Sequence, residues 1–358
     1  LTKSYQASND CPWSETGIFK IISGLLRKNP SERYHSALGI IKDLNSIKDV
    51  YPTGHSTSNI KLSLDYNPGV LKLDQVYCER QEELEKLVSV YNSVKNGASG
   101  VVFVEGGEGM GKSSFGRAFA ENVVSPGVLF SFGKFDKYYT SAYLGFQTAF
   151  QNVVQRIFIQ SGCSHKELAK AFKEGLGSDL SLLYDVMPDL QELTGKIPPP
   201  EKLDPIETQN RFINVFARYC RVLDSLGLKR VLFLDDAHCA DLPSLRLIKY
   251  LMSASLSRVM FVLAYNPKDI DENHPLLQLQ KELEDSKSLT ATIRLKSLTK
   301  LAVKRIVGKA LSEKGKNINQ LAEVIFEKTR GNPYYINHFL KLIYDQEVLT
   351  FDQKTHRW

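Results

Sequence analysis

The sequence predicts an α/β protein in which helices cover both faces of a parallel sheet, followed by a small helical domain. Three short apolar runs, at residues 101–104, 231–234 and 259–265, lead to this fold class. Each has the length of a buried strand, and stretches with helical periodicity separate them. Continuous apolar strands alternating with helices are typical of parallel sheets, because both faces of such a sheet are buried.

The remaining elements follow from the same periodicity. Pro, Gly, Ser and Thr are concentrated at residues 48–75, which indicates a linker. A fourth strand is predicted at 128–132, and helices are predicted at 17–47 (with a break at Asn29-Pro30), 80–95, 141–194, 206–226 and from 299 onward. The predicted domains are N-terminal helices at 1–47, the linker at 48–75, a sheet domain at 76–298 and a helical domain at 299–358.

Composition narrows the class of protein. The 358 residues carry a net charge of +6, and no clustered basic stripe of the kind that binds nucleic acid is visible. The five cysteines include no CxxC pair, which favours a reducing compartment over a disulfide scaffold. No apolar run approaches the roughly 20 residues that span a bilayer. We therefore expect a cytoplasmic protein with neither nucleic acid nor membrane as a partner.

A glycine-rich segment follows the first apolar strand and opens a helix: Gly106-Gly107-Glu108-Gly109-Met110-Gly111-Lys112-Ser113-Ser114. It matches the GxxxxGK[ST] pattern of a P-loop NTPase, in the strand–loop–helix context that the pattern requires. Glycines let backbone N–H groups surround a phosphate, and the helix N-terminus adds positive potential. We expect Lys112 to contact the β- and γ-phosphates, Ser113 to bind Mg²⁺, and Ser114 to reach the α-phosphate. The alternative is a glycine-rich turn with a lysine in solvent.

Two carboxylates follow another apolar strand, in Arg230-Val231-Leu232-Phe233-Leu234-Asp235-Asp236. We expect Asp235 to hold Mg²⁺ and Asp236 to orient an attacking water, as acids after a buried strand do in nucleotide sites. The alternative is that both acids only cap the next helix, from Asp241 onward. Two adjacent carboxylates also allow metal binding with little hydrolysis.

Several further motifs keep one order along residues 76–358. They are Tyr77-Cys78-Glu79-Arg80-Gln81-Glu82-Glu83-Leu84, Gly133-Lys134-Phe135-Asp136, Asn210-Arg211-Phe212, Leu234-Asp235-Asp236-Ala237-His238-Cys239-Ala240-Asp241, Ala264-Tyr265, His274-Pro275-Leu276 and Lys328-Thr329-Arg330-Gly331-Asn332-Pro333-Tyr334-Tyr335. In these motifs the sequence resembles the AAA-type STAND ATPase domain of multidomain sensor kinases. The resemblance implies ATP or ADP with Mg²⁺ as ligands, and attached serine/threonine-kinase-like, GAF and histidine-kinase domains as partners.

The resemblance also implies roles for residues outside the loop. Arg80 and Pro333 would lie near the adenine, although Asn-Pro is also a common turn signal. Asn266 stands where the family has arginine, and it would act as a γ-phosphate sensor with weaker charge stabilisation. Cys239 replaces the family's tryptophan, and Glu79 replaces its glycine. The departures at Asn266 and Glu79 put the rate of hydrolysis in doubt, not the binding of nucleotide.

The N-terminal helices carry a second resemblance. Leu25-Leu26-Arg27-Lys28-Asn29-Pro30-Ser31-Glu32-Arg33-Tyr34 is similar to the last helices of a protein-kinase C-lobe. In kinases the arginine that matches Arg33 pairs with a buried acid. No kinase Gly-rich loop, HRD or DFG motif is present in the sequence, so this segment brings no kinase activity of its own.

Three functions remain open at this point. The first is a nucleotide-dependent switch in a signalling kinase, with slow ATP hydrolysis and the possibility of homo-oligomers. The second is a scaffold that holds nucleotide without hydrolysing it, which Asn266 and the missing arginine finger favour. The third is a motor-type or DNA-associated AAA ATPase, which should show a basic surface and an arginine finger.

Other polar and aromatic residues have ordinary structural explanations. We expect His238 to be a polar surface residue and Arg211 to form a salt bridge on a helix surface. Tyr138, Tyr139 and Tyr143 are expected to pack against the protein.

Overall fold

The computed structural model describes fourteen stretches of the chain, namely 17–27, 33–34, 36–50, 61–64, 69–73, 80–123, 127–139, 141–201, 204–253, 259–286, 288–313, 315–352, 355 and 357–358. The predicted break at Asn29-Pro30 and residues 77–79 of the first motif lie outside these stretches. Two compact units divide the chain. The sheet unit comprises Glu79–Leu298 and Asn332–Tyr335, and the helical unit comprises Leu1–Cys78, Thr299–Gly331 and Ile336–Trp358.

A five-stranded sheet forms the centre of the sheet unit. Its strands are β1 (Gly100–Glu105), β2 (Val128–Lys134), β3 (Lys229–Asp235), β4 (Val259–Tyr265) and β5 (Leu289–Arg294). All neighbours pair in parallel, in the order β2-β3-β4-β1-β5. The predicted α/β fold with a parallel sheet is therefore confirmed. Since parallel strands end at one edge, the residues that follow β1, β3 and β4 lie side by side there.

Within the residues that the structure describes, the sheet unit also contains nine α-helices. They are α3 (Gln81–Lys95), α4 (Lys112–Val123), α5 (Leu144–Ala149), α6 (Val153–Ser161), α7 (His165–Leu176), α8 (Pro188–Thr194), α9 (Pro205–Ser225), α10 (Leu242–Ser253) and α11 (Pro275–Asp285). Short 3₁₀ helices cover Gly177–Leu183, Ala237–Cys239 and Pro267–Asp269.

Apolar side chains of the sheet and of α5–α11 form the main core. Phe146 packs edge-on against Phe216 at 5.7 Å between ring centroids, and Phe172 stacks on Tyr219 at 5.7 Å. These rings are less than 3% exposed. Burying aromatic rings of this size contributes much of the stability of a core, because each removes a large apolar area from water.

One strand was missed by the sequence prediction. β5 reads Leu-Thr-Ala-Thr-Ile-Arg, and it pairs only with β1 because it lies at the edge of the sheet. An edge strand is buried less completely than a central one, so it lacks the continuous apolar run on which the other strands were predicted.

The helical unit contains α1 (Gly17–Leu25), α2 (Ala37–Val50), α12 (Lys300–Ala310), α13 (Lys316–Thr329) and the greater part of α14 (Pro333–Asp345). α2 continues three residues past the predicted end at residue 47. A buried acid, Asp43, accepts hydrogen bonds from the Tyr34 hydroxyl at 2.6 Å and from Ser63 N at 2.7 Å. The Arg33 Nε instead donates to the Arg27 carbonyl at 2.8 Å, so Tyr34 and not Arg33 is the partner of this acid.

The helices α12 and α13 pack against each other, and Lys300 and Glu323 form an ion pair across them at 2.8 Å. Trp358 anchors the C-terminal segment, since its indole Nε1 donates to the Leu311 carbonyl at 2.8 Å. Across the stretches that the structure describes, no helix combines the length and apolar character needed to cross a membrane.

The close approach of β2 and α5 gives a direct test of the packing. A methyl group added at Gly133 would lie 2.1 Å from the Gly145 carbonyl oxygen, a backbone atom that has little freedom to move. We expect Gly133→Ala to lower the free energy of unfolding by about 1–3 kcal/mol, as overpacking does. Urea unfolding measures the effect. Arg117→Ala, at an exposed position of α4, is the control and should change stability by less than about 0.5 kcal/mol. Equal stability of the two variants would contradict the packing.

Candidate functional site

The glycine-rich loop joins β1 to α4. It runs from Gly106, which follows the last residue of β1, to Gly111, which precedes the first residue of α4. Gly109 has φ 72° and Gly111 has φ 79°, values that residues with a side chain rarely adopt. The loop therefore bends back toward the helix N-terminus, where backbone N–H groups are available to an anion.

The Lys112 ammonium lies over this loop. It donates to the Gly106 carbonyl at 2.8 Å and to the Gly107 carbonyl at 3.2 Å. Burial lowers the pKa of Lys112, and the nearby carboxylates Asp235 and Asp236 oppose that shift. The side chain is thus partly buried and held against the loop backbone.

Ser113 and Asp235 meet across the site. The Ser113 hydroxyl donates to Asp235 Oδ2, and the Asp235 side chain is almost fully buried. Asp235 therefore does not cap the next helix, as the alternative interpretation required. Asp241 takes that place, because it accepts from Ser244 N at 2.9 Å at the start of α10. A hydroxyl and a buried carboxylate side by side form an oxygen donor set that suits Mg²⁺.

Asp236 has a different environment from its neighbour. Its backbone is left-handed, with φ 50°, and its carboxylate pairs with the Lys134 ammonium at 3.1 Å. This contact follows from the strand register, in which Lys134 of β2 lies opposite Asp235. The hydrogen bond and the charge of Asp236 raise the pKa of Lys134. The second acid is therefore restrained by a lysine that the sequence analysis did not assign to the site.

Asn266 follows β4, the strand between β1 and β3. Its amide nitrogen donates to Asp269 Oδ2 at 2.7 Å, and its amide oxygen accepts from Lys268 N at 3.2 Å. The structure thus places Asn266 at the predicted edge of the sheet, but both ends of its amide hold the turn that follows.

His238 lies close to the same turn. Its Nε2 is 3.5 Å from Asp269 Oδ2, and its side chain is only 14% exposed. Burial lowers the pKa of His238, which favours the neutral imidazole. The ring is partly exposed and lies beside the turn that follows β4.

Arg80 and the segment after Gly331 both contact the loop backbone. The Arg80 guanidinium is 6% exposed and donates to the Met110 carbonyl at 2.6 Å and to the Lys296 carbonyl at 3.2 Å. The Asn332 amide donates to the Glu108 carbonyl at 3.0 Å, and Tyr334 N donates to the Gly109 carbonyl at 3.2 Å.

Pro333 is placed with the loop as well. It lies between Asn332 and Tyr334 in the same compact unit, and a methyl group added at Gly111 would be 4.0 Å from its Cγ. Ser114 and Glu108 are exposed on the outer side of the loop and of α4. Arg80 and Pro333 thus lie at the loop, and Asp235 contacts the first turn of α4, while Asn332 adds a support that a turn signal alone did not reveal.

The two remaining expectations, a salt bridge for Arg211 and packing of three tyrosines, had different outcomes. Arg211 forms the expected salt bridge, at 2.6 Å from Asp179, and Tyr143 stacks on Phe212 at 4.3 Å. Tyr138 and Tyr139 do not pack, since they are 89% and 70% exposed. They lie on the loop after β2, where the chain turns away from the core at Asp136.

A parallel sheet, a GxxxxGK[ST] loop after β1 and a buried carboxylate at the end of β3 together define a P-loop NTPase. Comparison with known families agrees: the AAA ATPase domain family matches residues 76–262, slightly more than half of the chain. The chain belongs to the AAA ATPase domain family.

Curated relatives include two histidine kinases. The chain is 25% identical over 427 residues to hybrid signal transduction histidine kinase G of Dictyostelium discoideum, and the match covers 95% of this chain and 12% of that protein. It is 20% identical over 439 residues to the peroxide stress-activated histidine kinase mak3 of Schizosaccharomyces pombe, covering 98% of this chain and 18% of that protein. The chain thus corresponds to less than a fifth of the length of either relative.

Solved structures show weaker similarity. Cdc6p of Pyrobaculum aerophilum superposes with a TM-score of 0.41 and 14% identity, over 75% of this chain and 63% of that one. A signal transduction ATPase with numerous domains (STAND) from Pyrococcus horikoshii, with a tetratricopeptide repeat sensor, gives a TM-score of 0.35 and 13% identity, over 72% and 29%. The fold is therefore assigned from the parallel pairing of its five strands and not from these superpositions.

Gly107 and Gly109 provide a matched test of the contact between the loop and Asn332. A methyl group added at Gly109 would lie 2.7 Å from Asn332 Oδ1, and an alanine there would have to adopt the left-handed φ of this position. A methyl group added at Gly107 would meet no atom closer than 3.8 Å. We expect Gly109→Ala to lower the free energy of unfolding by about 1–3 kcal/mol and Gly107→Ala to leave it nearly unchanged. Thermal unfolding without nucleotide measures both. A Gly107→Ala variant as unstable as Gly109→Ala would contradict the contact.

Proposed function

We propose that this chain binds Mg²⁺ with ATP or ADP in the loop between β1 and α4. The contact between the Ser113 hydroxyl and the buried Asp235 carboxylate carries the proposal. It joins two motifs that are 122 residues apart in the sequence, and it brings together the oxygen donors that a hard cation prefers. A glycine-rich turn with a solvent lysine would require neither the contact nor the position of Lys112 above the loop.

Different residues would bind the phosphates, hold the metal ion and support the loop. Lys112 can exchange its loop carbonyl partners for phosphate oxygens, which bind an ammonium more strongly because they are charged. Ser113 and Asp235 would hold Mg²⁺, which neutralises charge on the phosphates when it is bound. Arg80 and Asn332 hold the loop carbonyls of Met110 and Glu108, so they support the loop from opposite ends of the chain.

Hydrolysis would depend on Asp236. A carboxylate at this position can orient a water molecule and accept its proton. The ion pair with Lys134 occupies Asp236 Oδ2, one of the two oxygens that would contact the water. Asn266, whose amide is bound to Asp269, adds no positive charge at the edge of the sheet. These contacts favour slow hydrolysis.

The relatives suggest how nucleotide binding would be used. Both are histidine kinases of much greater length, so we infer that this chain is the nucleotide-controlled part of a signalling kinase with further kinase and sensor domains. Binding would act as a switch if ATP and ADP differ in their affinity for two states of the domain, since a ligand shifts an equilibrium only by that difference.

A scaffold that retains nucleotide without hydrolysing it is the second candidate. The Lys134–Asp236 ion pair favours it, because a carboxylate oxygen bound to an ammonium is not available to a water molecule. Measurement of ATP turnover by purified protein distinguishes a switch that hydrolyses ATP slowly from this scaffold.

Lys112 should be essential for tight binding of Mg·ATP. Lys112→Ala should weaken binding of Mg·ATP about 100-fold or more, because it removes a charge-assisted contact to phosphate. Lys137→Ala removes an exposed lysine from the loop after β2 and should change the affinity little. Calorimetric titration of both variants gives the comparison. Equal affinity of Lys112→Ala and wild type would refute the site.

The second prediction concerns hydrolysis. Asp236→Asn should slow phosphate release about 100-fold or more while it preserves nucleotide affinity, because it removes the base. Lys134→Gln should speed release about two- to fivefold, a modest effect because the lysine side chain is 62% exposed. Single-turnover phosphate release with saturating Mg·ATP measures both rates.

The outcomes of that assay separate the candidate functions. Wild type and Lys134→Gln that bind nucleotide but release no phosphate would establish the scaffold. An Asp236→Asn variant as fast as wild type would remove Asp236 from the mechanism.

A further inference from the structure

A third carboxylate, Asp269, lies beside the nucleotide site. It is the last residue of the short 3₁₀ helix (Pro267–Asp269) that follows β4. Because β4 lies between β1 and β3, this helix starts at the same edge of the sheet as the glycine-rich loop and Asp236. Asp269 therefore belongs to the group of charges that a bound phosphate would meet.

Two polar residues contact the Asp269 carboxylate. Asn266 Nδ2 donates to Asp269 Oδ2 at 2.7 Å, and His238 Nε2 lies 3.5 Å from the same oxygen. Asn266 follows β4 and His238 belongs to the 3₁₀ helix after β3, so one carboxylate oxygen joins the segments that leave both strands. The Asp269 side chain is 51% exposed, which leaves it accessible to a ligand from solvent.

No cation balances the charge of Asp269. Among the residues that the structure describes, no lysine or arginine nitrogen lies within 4.0 Å of its carboxylate. Burial lowers the pKa of His238, which favours the neutral imidazole. The neighbouring acids differ, since Asp236 pairs with Lys134 at 3.1 Å and Asp235 would bind Mg²⁺. Asp269 thus keeps its full negative charge at this edge of the sheet.

The charge of Asp269 reaches the lysine that would bind the terminal phosphates. Burial lowers the pKa of Lys112, and four carboxylates oppose this shift, namely Asp235, Asp236, Asp269 and Glu108. A carboxylate raises the pKa of a lysine only when it is close enough for its field to act on the ammonium. The same field would act on a phosphate bound to Lys112, and there it would be repulsive.

We propose that Asp269 lowers the preference of this site for ATP over ADP. The inference rests on nucleotide binding at the loop between β1 and α4. ATP carries one phosphate group more than ADP, and this group adds negative charge at the end of the nucleotide that Lys112 would bind. An unbalanced carboxylate beside that lysine repels the triphosphate more strongly than the diphosphate.

A residue of this kind would help to set the nucleotide state of the domain. The lower the ratio of ATP affinity to ADP affinity, the further ATP must exceed ADP in concentration before the ATP-bound form predominates. Asp269 is thus a specificity-determining residue that acts through its charge, and it takes no part in the cleavage of ATP.

The test compares the affinities of the complete chain for two nucleotides. Mg·ADP and the Mg²⁺ complex of adenylyl imidodiphosphate, a triphosphate that resists hydrolysis, are titrated by calorimetry into wild type and Asp269→Asn. Asparagine removes the charge but keeps an oxygen that can accept the hydrogen bond from Asn266. We expect the ratio of triphosphate to diphosphate affinity to rise about three- to fivefold, a modest change because the side chain is half exposed. Asp269→Glu, which retains the charge, should keep the wild-type ratio.

Asp271→Asn is the matched control, because it removes the same charge two residues further along the chain. Asp271 is exposed, and its carboxylate accepts from Asn273 N at 2.9 Å. This variant should keep the wild-type ratio. An equal rise in the control would overturn the proposal, because the effect would then come from the general surface charge.

Failure of the proposal is distinguishable from failure of the nucleotide site. If wild type binds neither nucleotide, the site at the loop is refuted and the role of Asp269 with it. If wild type binds both and Lys112→Ala weakens both, an unchanged ratio in Asp269→Asn refutes the role of Asp269 alone. Equal losses for the two nucleotides in Asp269→Asn would also contradict the proposal, since the residue would then only support the fold.

Discussion

The site depends on one geometric constraint, the position of β4 between β1 and β3. Two strand spacings of about 4.8 Å separate the loop after β1 from the carboxylate after β3. Ser113, in the first turn of α4, closes this gap with its hydroxyl, which reaches Asp235. The strand order therefore decides which residues can share a metal ion, and a different order would leave the two motifs apart.

Charge is distributed around this contact so that binding and hydrolysis have different requirements. Lys112 donates to the loop carbonyls and Ser113 donates to Asp235, so neither of these hydrogen bonds uses the Asp236 carboxylate. The Asp236 carboxylate instead forms an ion pair with Lys134 of the neighbouring strand.

Sequence patterns predicted the features that local chemistry determines. The GxxxxGK[ST] loop and the acids after an apolar strand are specified by residue type and spacing, so their placement at one edge followed once the sheet was parallel. The contact between Asn332 and Glu108 joins residues 224 positions apart, and no local pattern encodes it. The Lys134–Asp236 pair required the register of β2 and β3, and β5 lacked the continuous apolar run on which strand prediction relied.

The most direct test of the account is whether Ser113 and Asp235 act together on Mg²⁺. The measurement is ATP affinity with and without Mg²⁺ for wild type, Ser113→Ala, Asp235→Asn and the double variant. We predict that Mg²⁺ strengthens wild-type binding about tenfold or more, and that each single variant loses most of this gain, so that the double variant loses little more. Wild-type binding that does not respond to Mg²⁺, or losses that simply add in the double variant, would contradict a shared metal site.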